Sequence, residues 1–418
     1  MPHLQSLPAL LEALRSVELL REPDDGSRRG KLAGRFGAEF VDASSNDYLG
    51  LGRAVPVSRE TSDDSQPPPP NPPPHQIGVD PWQVGAERRA VSRETSLPHP
   101  LGAGASRLIH GTHQSHLRVE SEVASWLGAD AALLFSSGYA ANVGALAALL
   151  DHNDHVVSDR LNHASLIDGI RLSRARTTVA PHLDLDAVEQ ALRTPCEGAR
   201  WVVAESYYSM DGTSPDLRRL RDLCDAAGAH LYLDEAHALG VFGPQGAGRA
   251  AEAGVRADVT MVAFGKAVGS HGAAVVGSES VRTWLWNRAR SFVFSTAPSP
   301  AHAAELHTQL VRALAADKPR ARLLEASARL RADWLRAGLP LVPGSHGPIL
   351  GLLVGSPQRA LALAERLASE GILVQAIRPP TVPEGQSRLR LTLTAAHDRA
   401  ALERLRTVVP QIFDEVAE

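Results

Sequence analysis

Only three lysines, Lys31, Lys266 and Lys318, stand among the 43 basic residues of this chain, so chemistry that needs an amine has three candidates. Lys266 follows the apolar run Val259–Val262 in Ala263-Phe264-Gly265-Lys266 and precedes Gly269-Ser270-His271-Gly272. A lysine in a Gly-flanked turn at a strand end is reachable by a small molecule yet walled by the sheet. Partial desolvation there lowers an amine's pKa and suits Schiff-base chemistry. The competing reading is an ordinary solvated lysine. In Leu231-Tyr232-Leu233-Asp234-Glu235-Ala236-His237, a buried strand ends in a carboxylate with a histidine three residues on. Ligands of open α/β sheets sit outside the carboxyl ends of strands. Asp234 could there hold a pyridine nitrogen protonated, making the ring an electron sink; a helix cap and a metal pair with His237 are the alternatives. One carboxylate and one histidine, with no third ligand nearby, make a poor metal site.

Two further groups follow strand ends. Ser136-Ser137-Gly138-Tyr139 opens a helix, where exposed N–H groups and a glycine attract phosphate. Asp159-Arg160-Leu161-Asn162-His163-Ala164-Ser165 offers His163 to stack on a planar ring or move a proton, against a capping or core role. His110, His113 and His116, if helical, drift around the face and cannot converge on one ion, so no metal is expected. Gly102-Ala103-Gly104 and Gly243 to Gly248 do not follow a strand and open a helix, which leaves a dinucleotide fold unsupported. A phosphate nest, a histidine, a carboxylate and a lysine, each after a successive strand, together describe a pyridoxal 5'-phosphate site.

The elements that must position these groups are legible as alternation. Ala131–Phe135, His155–Ser158, Trp201–Glu205, His230–Asp234 and Val259–Phe264 are short β-rich runs with helical stretches such as Pro215–Ala227 between most of them. Apolar strands alternating with helices predict an α/β fold with a mostly parallel sheet covered on both faces. An amphipathic helix is expected at Ala9 to Leu20, before the segment Phe40 to Leu51. After Pro298 come Ala/Leu/Arg helices, then Ile349–Val354, a helix near Gln358–Ser369, Ile372–Ile377, Arg388–Thr394 and a last helix, which predict a smaller α+β domain. The expected division is 1–53, an insertion at 54–99, a large domain at 100–297 and a small one at 298–418. In the insertion, seven prolines fall between Pro67 and Pro74, and Val-Ser-Arg-Glu-Thr-Ser occurs at Val57–Ser62 and again at Val91–Ser96. That composition predicts a solvated, polyproline-rich or disordered spacer, with an SH3-like binding site as the alternative.

Composition narrows the class. With 418 residues, 44% hydrophobic, 22% charged and a net charge of −4, the chain suits two or three globular domains. Near-neutral charge argues against nucleic-acid binding. Cys196 and Cys224 cannot build a disulfide framework, which suits a reducing compartment. The uncharged run Ala131 to Leu150 is broken by Ser136-Ser137-Gly138 and reads as strand, turn and helix rather than a membrane span. A soluble cytoplasmic protein is the expectation, with no membrane partner.

The sequence resembles the α-oxoamine synthases, fold-type I pyridoxal-phosphate transferases that condense an amino acid with an acyl thioester. The resemblance runs from Leu11 to the carboxyl end apart from the Pro-rich insertion. It rests on Ser45-Asn46-Asp47-Tyr48-Leu49-Gly50, on Gly104-Ala105-Ser106-Arg107 with Gly111, and on Asp159 through Ser165. It rests also on Glu205 through Ser209-Met210-Asp211-Gly212, on Asp234-Glu235-Ala236-His237 and on Phe264-Gly265-Lys266. Ala376 through Pro383 and Arg388 through His397 are most similar to the members that join L-alanine to a pimeloyl thioester, of CoA or of acyl-carrier protein, for biotin synthesis. Glycine with acetyl-CoA is the sister alternative; an aminotransferase and a non-catalytic α/β protein are more remote ones. The resemblance implies that Lys266 carries the cofactor and moves the Cα proton, that Asp234 pairs with the ring nitrogen, that His237 contacts the ring oxygen, and that His163 stacks on the ring face and helps polarise the acyl oxygen. It places Ser209 beside the ring and the Ser137-Gly138-Tyr139 turn on the phosphate, with Thr296 reaching it from the second subunit of a homodimer. Asn46 and Arg390 would grip the amino-acid carboxylate, and Arg21 would lie near the acyl group. One departure stands out: the family usually has threonine or serine where this chain has Ala263, so a phosphate hydroxyl contact is missing or replaced.

Overall fold

The computed structural model describes residues 7–16, 27–52 and 99–416. Arg21 and the Pro-rich segment, including both hexapeptide copies, lie outside the described residues. Twelve strands appear among them: β1 (Val41–Asp42), β2 (Ala131–Phe135), β3 (His155–Asp159), β4 (Arg176–Ala180), β5 (Arg200–Glu205), β6 (Ala229–Asp234), β7 (Val259–Ala263), β8 (Ala273–Gly277), β9 (Ile349–Gly355), β10 (Ile372–Leu373), β11 (Gln375–Ile377) and β12 (Ser387–Thr392). Seven form one sheet in the order β2-β8-β7-β6-β5-β3-β4. β8 alone runs opposite to the other six strands of this sheet. The apolar strands are buried on both sides, with Leu133, Val203, Leu233 and Val262 all inaccessible to solvent, because helices cover both faces. A second, antiparallel sheet, β11-β12-β9, lies further along the chain.

Parallel pairing brings the carboxyl ends of β3, β5, β6 and β7 to one edge, and Glu205 faces Asp234 in register across β5 and β6. The turn after β2 reaches the same edge, as does the β7–β8 connection that carries Lys266. This connection is tied by Phe264 N–H to the Gly272 carbonyl (2.9 Å), Ser270 N–H to the Phe264 carbonyl (3.0 Å) and Gly269 N–H to the Lys266 carbonyl (3.0 Å). Gly269 and Gly272 have φ of 70° and 103°, where a side chain is strained. A Cβ on Gly269 would also lie 2.4 Å from the Gly52 nitrogen.

Most expected strands are present within a residue or two of their expected bounds. Ile372–Ile377 splits into β10, paired with β1, and β11, paired with β12. Two strands lie outside the expected runs. β4 is a largely exposed edge strand, Arg-Thr-Thr-Val-Ala, without an apolar run, and β8 is built of small residues. The first helix is described over Leu7–Ser16. The histidine trio is not helical throughout, since the helix begins at Gln114 with His113 as its cap. His116 Nδ1 accepts the His113 N–H (3.0 Å) and its Nε2 bonds the Pro298 carbonyl (2.8 Å). No helix among the described residues is long and apolar enough to cross a membrane.

Candidate active site

A cavity of about 430 Å³ opens at this sheet edge, and Lys266, Asp234, His163, His237, Ser137, Gly138, Tyr139, Ser209 and Asn46 all line it. Nine residues expected at the site from separate segments therefore meet in one place. Lys266 is half-buried, and desolvation lowers its pKa, opposed by the negative charges of Asp234 and Glu205. The neutral amine is thereby made more accessible near neutrality.

Asp234 is held from two sides. Its Oδ1 accepts the Ala236 N–H (2.8 Å) and its Oδ2 accepts from Asn142 Nδ2 (2.8 Å). Burial raises its pKa, while these bonds, Lys266 and His163 pull it down. Asn142 also donates to Ser165 Oγ (2.9 Å) and accepts from the Tyr232 hydroxyl (2.9 Å). Ser165 Oγ in turn contacts His163 Nδ1 (2.7 Å). One amide thus joins the carboxylate to the histidine. Nothing in the sequence reading gave it a role; its signal was a lone amide inside an uncharged stretch.

His163 caps a helix and also lines the cavity. Its Nδ1 accepts the Ser165 N–H (3.2 Å), capping the helix Ala164–Ser173, while its ring lines the cavity. Burial lowers its pKa, so the neutral ring, with Nδ1 accepting, carries its hydrogen on Nε2. The His163 main chain is fixed by Glu205 Oε1, which accepts its N–H (2.7 Å). Burial, with Asp234 alongside, pushes the Glu205 carboxyl well above the usual range.

On the other side, the Tyr48 hydroxyl and His237 Nδ1 share a 2.8 Å hydrogen bond. Burial lifts Tyr48 to about 12 and holds His237 well below its usual value, so both are neutral near pH 7. Asn46 Oδ1 accepts from Arg390 (2.9 Å), whose guanidinium also donates to the Ser209 carbonyl (2.6 Å) and Thr392 Oγ1 (3.0 Å). Arg390 stands behind Asn46 and does not itself line the cavity.

At the opposite end, Ser137 caps the helix Gly138–Leu149 by accepting the Ala140 N–H (3.1 Å). Among the described residues no hydrogen bond engages the N–H groups of Gly138 and Tyr139. Ala263 lies close by, 3.7 Å from where a Cβ on Gly138 would stand. A shielded amine, a buried carboxylate, two neutral imidazoles and a helix start with free N–H groups form a donor set that fits pyridoxal phosphate. Thr296 bridges Ser106, is exposed and does not line the cavity of its own chain. Arg21 is outside the described residues.

The profile of the family described as aminotransferase class I and II matches residues 83–409. An 8-amino-7-oxononanoate synthase of Anaeromyxobacter dehalogenans is 41% identical over 399 residues, covering 94% of this chain and 92% of its own. One of Salmonella paratyphi C is 37% identical over 410 residues, covering 97% and 98%. Among solved structures, Sphingomonas wittichii serine palmitoyltransferase superposes with a TM-score of 0.73 at 30% identity, covering 76% of this chain and 80% of its own. The 8-amino-7-oxononanoate synthase of Francisella tularensis gives 0.70 at 22% identity over 91% and 99%, a likeness of fold.

Proposed function

Because this chain belongs to the aminotransferase class I and II family, we propose that it is a pyridoxal-phosphate acyltransferase joining L-alanine to a pimeloyl thioester. The product is 8-amino-7-oxononanoate, the compound for which its relatives at 37–41% identity are named. The observation that carries the chemistry is the convergence of Lys266, Asp234 and His163 in one cavity.

Bound pyridoxal phosphate supplies an electron sink for negative charge at the amino-acid Cα. The chain's own residues do the rest. Lys266 anchors the cofactor through its amine and then takes and returns the Cα proton. Asp234, whose anion Asn142, the Ala236 N–H and Lys266 favour against the opposing effect of burial, holds the ring nitrogen protonated. His237 bonds the ring oxygen, and His163 walls the ring face and donates from Nε2 toward the acyl oxygen. Ser209 sits beside the ring. Asn46, backed by Arg390, binds the alanine carboxylate; Arg21 is assigned to the acyl group. The phosphate is taken by the Ser137-Gly138-Tyr139 turn. Thr296, exposed and absent from the lining of its own cavity, would contribute from a second copy in a homodimer. In the balance, alanine Cα bonds to the thioester carbonyl carbon, the thiol leaves, and the alanine carboxylate departs as carbon dioxide.

The test is release of free thiol from pimeloyl thioester that depends on L-alanine and is matched by carbon dioxide. Borohydride reduction of the native protein should attach the cofactor to Lys266 and not to Lys31 or Lys318. Preference for glycine with acetyl-CoA, or for serine with a long acyl chain, would assign a sister activity. No thiol release with any amino acid would end the proposal.

A further inference from the structure

We infer that His271 donates a ring N–H to the cofactor phosphate, replacing the hydroxyl that Ala263 lacks. The inference deepens the proposed function and rests on its cofactor assignment. His271 lines the same cavity as Ala263, Ser137 and Gly138, and the residue is exposed. Ala263 pairs with Ala273 in register across β7 and β8, two residues from His271. Both chain neighbours of His271 are pinned to Phe264, Ser270 through its N–H and Gly272 through its carbonyl. The backbone that presents the imidazole is therefore fixed beside Ala263.

The helix Pro300–Leu314 fixes it again from behind. His302 Nε2 donates to the His271 carbonyl (3.0 Å), and Ser270 Oγ donates to Glu305 (2.8 Å). The His271 ring packs 5.9 Å from the His302 ring. No hydrogen bond among the described residues engages its ring nitrogens. A braced loop thus holds an imidazole with an unused donor in the same cavity that Gly138 and Tyr139, with their unbonded N–H groups, also line. A phosphate monoester needs several donors, and the charge-assisted ones are the strongest.

The experiment titrates cofactor-free protein with pyridoxal phosphate and, separately, with pyridoxal, following the visible absorbance of the bound chromophore. His271→Ala should weaken pyridoxal phosphate binding by about tenfold to a hundredfold, the range for a hydrogen bond to a charged group, and leave pyridoxal binding unchanged. His271→Gln, which keeps a donor, should lose less. Ala263→Thr should recover most of the affinity in the His271→Ala background and add little to the unaltered chain. Equal losses for the two ligands, or an undiminished preference for the phosphorylated one, would overturn the assignment, leaving Ser137 and the helix N–H groups sufficient. If the unaltered chain bound neither ligand, the cofactor reading itself would fall, a result distinct from any that concerns His271 alone.

Discussion

Asp234 and Glu205 are neighbours in register, both nearly inaccessible to solvent, and two such carboxyls cannot both be charged cheaply. Their surroundings divide the roles. Asp234 has an amide, a main-chain N–H and the nearby Lys266 to favour its anion, whereas burial and Asp234 itself push Glu205 toward the neutral acid. Asp234→Asn should therefore keep the cofactor but lose most turnover, because an amide cannot hold the ring nitrogen protonated; near-normal turnover would make Asp234 a structural cap. Glu205→Gln mimics the neutral acid. A group whose folded pKa is raised contributes full stability below its unfolded pKa and loses it as pH rises toward the folded value. Thermal midpoints of cofactor-free protein should coincide for the two forms below about pH 4. Above that the variant should gain relative stability, by roughly 1.4 kcal/mol per pH unit, until the folded Glu205 value is reached. Parallel curves from pH 4 to 8 would show that Glu205 titrates normally. At this scale the residues that bear charge or a ring were legible in the sequence, since Asp234 ends a strand and His163 and Lys266 each follow one. Asn142 was not, because its meaning lies in a bond to a residue 92 positions away.

At the scale of elements, burial decides what could be read. Apolar strands announce themselves; the exposed edge strand β4 does not, because its pairing comes from its neighbours and not from its own side chains, and β8, though apolar and buried, is a short Ala-Ala-Val-Val-Gly run directly after a glycine-rich turn. The helix Gln114–Trp126 is set against the sheet by a contact that also needed three dimensions. Arg107 donates to both Glu120 oxygens (2.9 and 3.2 Å), and Glu120 Oε1 also accepts the Leu134 N–H of β2 (2.9 Å). Both side chains are buried. Arg107→Ala would leave Glu120 charged without its partner, which costs about 3–5 kcal/mol. Chemical denaturation should show that loss. Arg107→Ala with Glu120→Gln should recover part of it, and a cost below about 1 kcal/mol for the single change would mean solvent reaches the pair.

Over the whole molecule, one question concerns the Pro-rich insertion, about Val57 to Val79, whose residues lie outside the described ones. The chain on either side is anchored. Gly52 lies against Gly269 of the lysine-bearing turn, and His99 stacks edge-on against His113. Both anchors are contacts between described residues, and the family resemblance resumes on both sides of the insertion. Closing a loop costs free energy only with the logarithm of its length, so shortening one changes stability little. Its composition also offers little apolar area to bury. Replacing the segment with a short Gly/Ser linker should therefore leave the thermal midpoint, cofactor affinity and alanine kinetics close to those of the full chain. The same proximity of Gly52 to Gly269 gives the experiment its second arm. If the shortened protein kept its alanine KM but showed a selectively raised KM for the pimeloyl thioester, the insertion would belong to the acyl-carrier site and not be a spacer. An unchanged thioester KM would confine the catalytic machinery to the segments that meet at the sheet edge.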